Sequence, residues 1–157
     1  MFTATLAYAF HAAHRLPHLG GKDANLHGHT WNVTITIGAA YLTPDGTIVE
    51  FSRFKQLMRA WIDTHLDHAT LLGVDDPLAA ALHTENCRTY LFGSDYPDHP
   101  YPTVEATAAL IAHHAHAWLR QAADRVDALV LRVDVSTTAT NTASWHAPAS
   151  YRLGITQ

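Results

Sequence analysis

The chain carries thirteen histidines, more than its ten lysines and arginines together, and a single cysteine. That composition points to imidazole chemistry. His27 and His29 flank Gly28 at the start of a segment that alternates apolar and polar residues. Side chains two apart on an extended strand point to the same side, so this pair can offer two ring nitrogens to one point. His14 closes the preceding β-forming segment and can supply a third nitrogen if the two segments pair. Three neutral imidazoles with a fourth position left open make the donor set of a catalytic zinc, and Gly28 permits close backbone approach between two ligands. Taken alone, His-x-His is also satisfied by two surface histidines on a strand.

The elements that must position these side chains can be read from periodicity. Residues 2–14 mix β-formers in rough alternation up to Pro17 and the Gly20-Gly21 break, and read as a first strand. Residues 30–37 alternate cleanly, with Trp31, Val33, Ile35 and Ile37 on one face and Thr30, Asn32, Thr34 and Thr36 on the other. After the Pro44-Asp45-Gly46 turn, Ser52 is placed to cap a helix over about 52–66, with Phe54, Leu57, Met58, Trp61 and Ile62 at helical spacing. Thr103 is placed to cap a second helix that ends near residue 124. Residues 128–135, and more weakly 144–153, read as two further strands. Between the helices, from about 73 to 101, repeated Asp, Gly and Pro break periodicity; a short helix over 77–82 fits inside an otherwise irregular insertion. A stretch of that length in a compact domain usually serves a site or an interface. The order is β-β-α-α-β-β, which predicts an antiparallel α+β architecture in which one domain spans residues 1–157.

Composition narrows the function classes. A 48% hydrophobic content with 15% charged residues suits a folded chain with a sizeable core. A net charge of −4 provides no basic field for nucleic acid or for an anionic membrane. Every apolar run is broken well before 18 residues, no secretory pattern opens the chain, and one cysteine closes no internal disulfide. A cytoplasmic protein acting on a small molecule, with no nucleic-acid or membrane partner, is expected.

Several strings together carry a resemblance. Phe10-His11-Ala12-Ala13-His14-Arg15-Leu16-Pro17, followed by Leu26-His27-Gly28-His29, resembles the zinc-binding signature of the 6-pyruvoyl tetrahydropterin synthase and 6-carboxytetrahydropterin synthase family. Gly46-Thr47-Ile48-Val49-Glu50-Phe51 with Phe54-Lys55 is similar to the family's entry to its first helix, with Glu50 where an aspartate is usual. Leu66-Asp67-His68 is similar to the family's Asp-His pair, and Pro102-Thr103-Val104-Glu105 to its Pro-Thr-x-Glu. These strings fall in family order over about residues 2–153. The resemblance implies a tunnelling fold: a four-stranded antiparallel sheet with two helices on one face, closing into a barrel as a trimer that pairs into a hexamer, with active sites between subunits. It also implies that His14, His27 and His29 bind Zn²⁺, which polarises oxygens on the substrate side chain. Asp67 and His68 would transfer protons, Thr103 would contact the substrate, and Glu105 would either line the substrate pocket or satisfy backbone donors in the first turn of the second helix. The family's reaction removes triphosphate from a dihydroneopterin triphosphate, yielding a pyruvoyl or carboxy tetrahydropterin.

Two positions depart from the family pattern. Four residues before His27, where the family usually has its catalytic cysteine, stands Asp23, and Cys87 lies elsewhere in the irregular insertion. A carboxylate is a weaker base than a thiolate near neutral pH, so Asp23 can replace it only in a site that raises its basicity; otherwise it is a turn residue after two glycines. Where the family has a glutamate that binds the guanidine-like edge of the pterin ring, this chain has Thr137, and Asp134, three positions earlier, would face the other side of a regular strand. Retained metal ligands with two changed substrate positions point to a zinc-dependent lyase or synthase acting on a changed substrate, a non-standard pterin or a carbonyl-bearing metabolite, by an elimination, aldol-type or cyclisation step. A non-catalytic metal- and ligand-binding oligomer is the alternative. A histidine-rich metal store, suggested by His113-His114-x-His116, is weaker, because His114 falls on the apolar stripe of the second helix.

Overall fold

The computed structural model describes residues 1–123 and 127–148. Two long strands form the centre of the sheet. β1 (Phe2–His14) pairs antiparallel along its whole length with β2 (His27–Ala39), so that His14 stands opposite His27 and Ala12 opposite His29. The connection contains two 3-10 turns, Pro17–Leu19 and Gly21–Ala24. Gly20 and Gly21, at φ 71° and 61°, take the left-handed conformation that lets the chain fold back. The Leu16 amide then donates to the Asp23 carbonyl at 2.6 Å.

The alternation in β2 is resolved as expected. Trp31, Val33, Ile35 and Ile37 are all buried, whereas Thr30 and Asn32 are exposed and Thr34 and Thr36 half-buried. Helix α1 (Phe51–His65) lays Phe54, Met58 and Ile62 on this buried face. It begins one residue earlier than expected: Glu50 takes the N-cap position with no side-chain hydrogen bond, and Ser52 lies exposed in the first turn. Burial of Ile48 and Val49 fixes the entry of the chain, and the Glu50 carbonyl already accepts from the Phe54 amide at 3.2 Å.

The segment after α1 differs most from expectation. Instead of an irregular insertion broken by one short helix, it supplies β3 (Thr70–Gly73), α2 (Leu78–Thr84) and β4 (Thr89–Phe92). β3 lies parallel to the end of β1, with Ala13 opposite Thr70 and His14 opposite Leu71, and β4 lies parallel to β3. At Gly73 an added Cβ would come 2.7 Å from the Pro100 carbonyl, so the returning chain packs directly on the end of β3.

Helix α3 (Val104–Ala122) follows, capped as expected by Thr103, whose hydroxyl accepts from the Ala106 amide at 3.1 Å. It buries nine side chains, and Trp118 meets Phe54 of α1 edge to face at 6.3 Å. β5 (Leu129–Ser136) pairs antiparallel with β2 across an irregularity between Thr36 and Ile37, and β6 (Thr142–His146) pairs antiparallel with β5. The part of the expected last strand beyond residue 148 lies outside the described residues. The sheet order is therefore β4-β3-β1-β2-β5-β6. The α+β class stands, but among the described residues a six-stranded mixed sheet and three helices replace the expected four antiparallel strands and two helices. Among the described residues, no helix is long and apolar enough to cross a membrane.

Candidate metal centre and proton-transfer pair

The buried stripe of the sheet continues beyond Trp31 into three histidines. His14, His27 and His29 each offer one ligand atom, and these atoms lie within 4.8 Å of one another. Ring centroids are 4.6 Å apart for His14 and His27, 5.3 Å for His14 and His29, and 4.8 Å for His27 and His29. Trp31 floors the group, 5.0 Å from the His14 ring and edge-on to it.

Two of the rings have their tautomers set by the backbone. His14 Nδ1 is 2.8 Å from the Pro102 carbonyl, and His27 Nδ1 is 2.8 Å from the Asn25 carbonyl. A carbonyl can only accept, so each Nδ1 carries a proton, and in the neutral ring Nε2 is the atom left with a lone pair. The two Nε2 atoms face each other at 3.1 Å. Either a shared proton or a cation must relieve that contact. Burial, chiefly, holds the His14 imidazole below its ordinary pKa, although the Pro102 carbonyl and the Asp23 charge oppose the effect. Burial and the neighbouring His27 lower His29 likewise. At His14 this disfavours the shared proton. Tetrahedral zinc with nitrogens at ~2.0–2.1 Å sets ligand atoms roughly 3.3 Å apart; the His14 and His27 Nε2 atoms, at 3.1 Å, are close to that spacing, and the three ligand atoms all lie within 4.8 Å. Of these contacts, the two carbonyl anchors were not legible in the sequence, because a main-chain oxygen leaves no residue signature.

Asp67 and His68 follow directly after the end of α1. Asp67 Oδ1 accepts from the His11 amide at 2.8 Å and Oδ2 accepts from His68 Nδ1 at 2.7 Å. Burial pushes the Asp67 carboxyl upward, but these two hydrogen bonds and the nearby His68 and His11 charges outweigh it and hold the group below the usual carboxylate range. The ionised carboxylate thus keeps the proton on His68 Nδ1 and leaves Nε2 as the free ring nitrogen. His68 is 75% exposed in its side chain, takes φ 55°, and lies 6.0 Å from the His11 ring. An open cleft of about 530 Å³ has His29 and His68 among its walls, with His11, Gly28 and Thr30. The structure thereby brings one member of the triad and one member of the Asp-His pair to a common opening.

The remaining sequence candidates sit differently. Asp23 is exposed in the turn beside the triad, near enough for its charge to be felt at both His14 and His29. Thr103 uses its hydroxyl in the α3 cap, Glu105 is exposed in the first turn of that helix, and Thr137 lies just past the end of β5. The histidines of α3 pack against aromatic rings: His114 lies 4.0 Å from Trp61, His113 4.6 Å from Tyr96 and His116 5.7 Å from Trp145. Among the described residues, the only group of three or more side chains suited to a metal is His14, His27 and His29. The contacts of the α3 histidines are those of packing rather than metal storage.

The three histidines thus stand together at the end of the β1–β2 pair, and His29 shares an open cleft with His68. The chain matches the 6-pyruvoyl tetrahydropterin synthase family over residues 3–148 and belongs to it. It is 33% identical over 87 residues to a 6-carboxy-5,6,7,8-tetrahydropterin synthase of Rickettsia conorii, covering 55% of this chain and 62% of that protein. The chain thus spans under two thirds of the length of that relative. The fold is similar to that of Caenorhabditis elegans 6-pyruvoyl tetrahydropterin synthase, with TM-score 0.60 and 17% identity over 94% of this chain and 96% of that one. It is also similar to a Plasmodium vivax 6-pyruvoyltetrahydropterin synthase carrying a substitution at a catalytic glutamate, with TM-score 0.62 and 18% identity over 94% and 99% of the two chains.

Proposed function

We propose that the protein is a zinc-dependent lyase or synthase of this family that works on a changed substrate. The observation that supports the metal part is the approach of His14 Nε2 and His27 Nε2 to 3.1 Å, with both Nδ1 atoms turned to backbone carbonyls. Bound on His14, His27 and His29, zinc supplies a Lewis acid for an oxygen of the substrate side chain. Asp67 holds the His68 imidazole in the tautomer whose Nε2 can take a proton from the substrate and return it. Asp23 is the candidate second base, at the position where the family's cysteine stands. Thr103, Glu105 and Thr137 are the candidate substrate contacts. The altered position is Thr137, where a neutral hydroxyl replaces a bidentate carboxylate partner and favours a ligand without the full guanidine-like edge. We place the active site in a homo-oligomer, trimer or hexamer, in the cytoplasm.

The test is incubation of zinc-loaded protein with dihydroneopterin triphosphate, then with side-chain and ring analogues, following triphosphate release and product mass. Turnover of an analogue above that of the parent compound is the expected result. Turnover of none, with ligand affinity unchanged in a His68→Ala variant, would overturn the enzyme reading in favour of a non-catalytic binding oligomer, which the missing cysteine motivates.

A further inference from the structure

We propose that Arg88 is a positioning residue for His68, fixing the Asp67–His68 peptide and with it the direction in which the imidazole presents its free nitrogen. The inference rests on the reading of Asp67 and His68 as the proton-transfer pair. Arg88 lies between the Leu66-Asp67-His68 and Pro102-Thr103 strings.

The end of α1 leaves backbone carbonyls without helical partners. Arg88 Nη1 donates to two carbonyls there, that of Asp63 at 2.8 Å and that of Asp67 at 3.1 Å. Its cationic head also complements the negative end of the helix dipole. The second carbonyl belongs to the peptide that joins Asp67 to His68. The amide of that same peptide, on His68, donates to the His11 carbonyl at 2.6 Å. A peptide group is rigid and planar, so a bond at each end fixes its orientation. That orientation sets ψ of Asp67 and φ of His68, and φ of His68 is 55°. A non-glycine residue holds this left-handed conformation only where its surroundings dictate it.

The arginine is itself anchored. Its carbonyl accepts from the Thr70 amide at 3.0 Å, and the next residue, Thr89, pairs with Thr70 in the β3–β4 ladder. The Asp63 and Asp67 carboxylates are left to other partners: Asp63 accepts from the Tyr8 hydroxyl, and Asp67 accepts from His11 and His68. Arg88 therefore orients the Asp67–His68 turn without competing for the carboxylate that charges the imidazole. One guanidinium nitrogen spans two carbonyls here, and a lysine ammonium in the same place lacks the planar fork that aims it.

The test uses the full zinc-loaded chain, ¹⁵N-labelled at histidine, as wild type, Arg88→Gln and Arg88→Lys. The wild type is expected to show a downfield, exchange-protected Nδ1 proton on His68, assigned by its loss in His68→Gln. Arg88→Gln is expected to lose that protection while still binding one zinc per chain, and Arg88→Lys to retain part of it. With a turned-over substrate, Arg88→Gln should lower kcat by up to about 100-fold with KM nearly unchanged, as expected when a reacting group is misaimed. An unaltered Nδ1 signal and kcat in Arg88→Gln would overturn the proposal and leave Arg88 an anchor of β4 alone. Should Arg88→Gln not fold, the same unaltered readings in Arg88→Lys would overturn it. A wild type with no protected Nδ1 proton on His68 would instead overturn the Asp67–His68 reading itself.

Discussion

His14 and His27 face each other across the β1–β2 pair with their Nε2 atoms 3.1 Å apart, each ring held by a backbone carbonyl at Nδ1. If these rings hold zinc as proposed, their orientation at Nδ1 is set before the metal arrives. His14→Ala or His27→Ala should weaken zinc binding by more than the ~10–100-fold that loss of an outer-shell partner costs. Wild type should hold one zinc per chain by elemental analysis after dialysis. Full zinc content in either variant would contradict this assignment of the ligands.

Asp67→Asn removes the charge that fixes the His68 tautomer while keeping the shape of the side chain. It should lower kcat by ~10²–10⁴-fold, the usual contribution of positioned proton transfer, with zinc content unchanged. Steady-state kinetics paired with elemental analysis separates this from loss of metal.

His114 is half-buried against Trp61 and Trp118, and burial pushes its imidazole down to about 4. The unfolded chain takes up that proton near pH 6.5, the folded chain only near 4. Between those values the unfolded state binds more protons, so stability falls as pH is lowered through this window and is fully present above it. Thermal melts should show Tm dropping from pH 6.5 to 4, and His114→Phe should make that drop shallower.

Arg15 pairs with Asp76 through Nε at 2.8 Å and through a second, shorter contact, and the Asp76 side chain is 4% exposed. Asp76 also accepts from the Leu78 amide at 2.9 Å, at the start of α2. Removing only the cation strands a buried carboxylate. Arg15→Met should therefore cost about 3–5 kcal/mol in denaturant melts, and Arg15→Met with Asp76→Leu considerably less.

Side-chain period and order carried much of this architecture into the sequence. Trp31, Val33, Ile35 and Ile37 announce the buried face of β2 because each points inward at a period of two, and the same period continued backward reaches His29 and His27. β3 and β4 give no such signal: each is four residues long, and each exists through parallel pairing to a distant strand. Thr103 was legible as a cap because its hydroxyl serves the local backbone, whereas Ser52 was misleading because buried Ile48 and Val49 set where α1 begins. Arg88 was illegible for the reason that hid Pro102 and Asn25: its partners are main-chain carbonyls brought close by tertiary folding.

Anomalous diffraction from crystals of the zinc-loaded protein is the decisive test of the three-histidine centre. One zinc per chain is expected, bound by His14 Nε2, His27 Nε2 and a ring nitrogen of His29 at ~2.0–2.1 Å, with a fourth position open to solvent or substrate. An absent zinc peak, or a fourth protein ligand that closes the site, would contradict it.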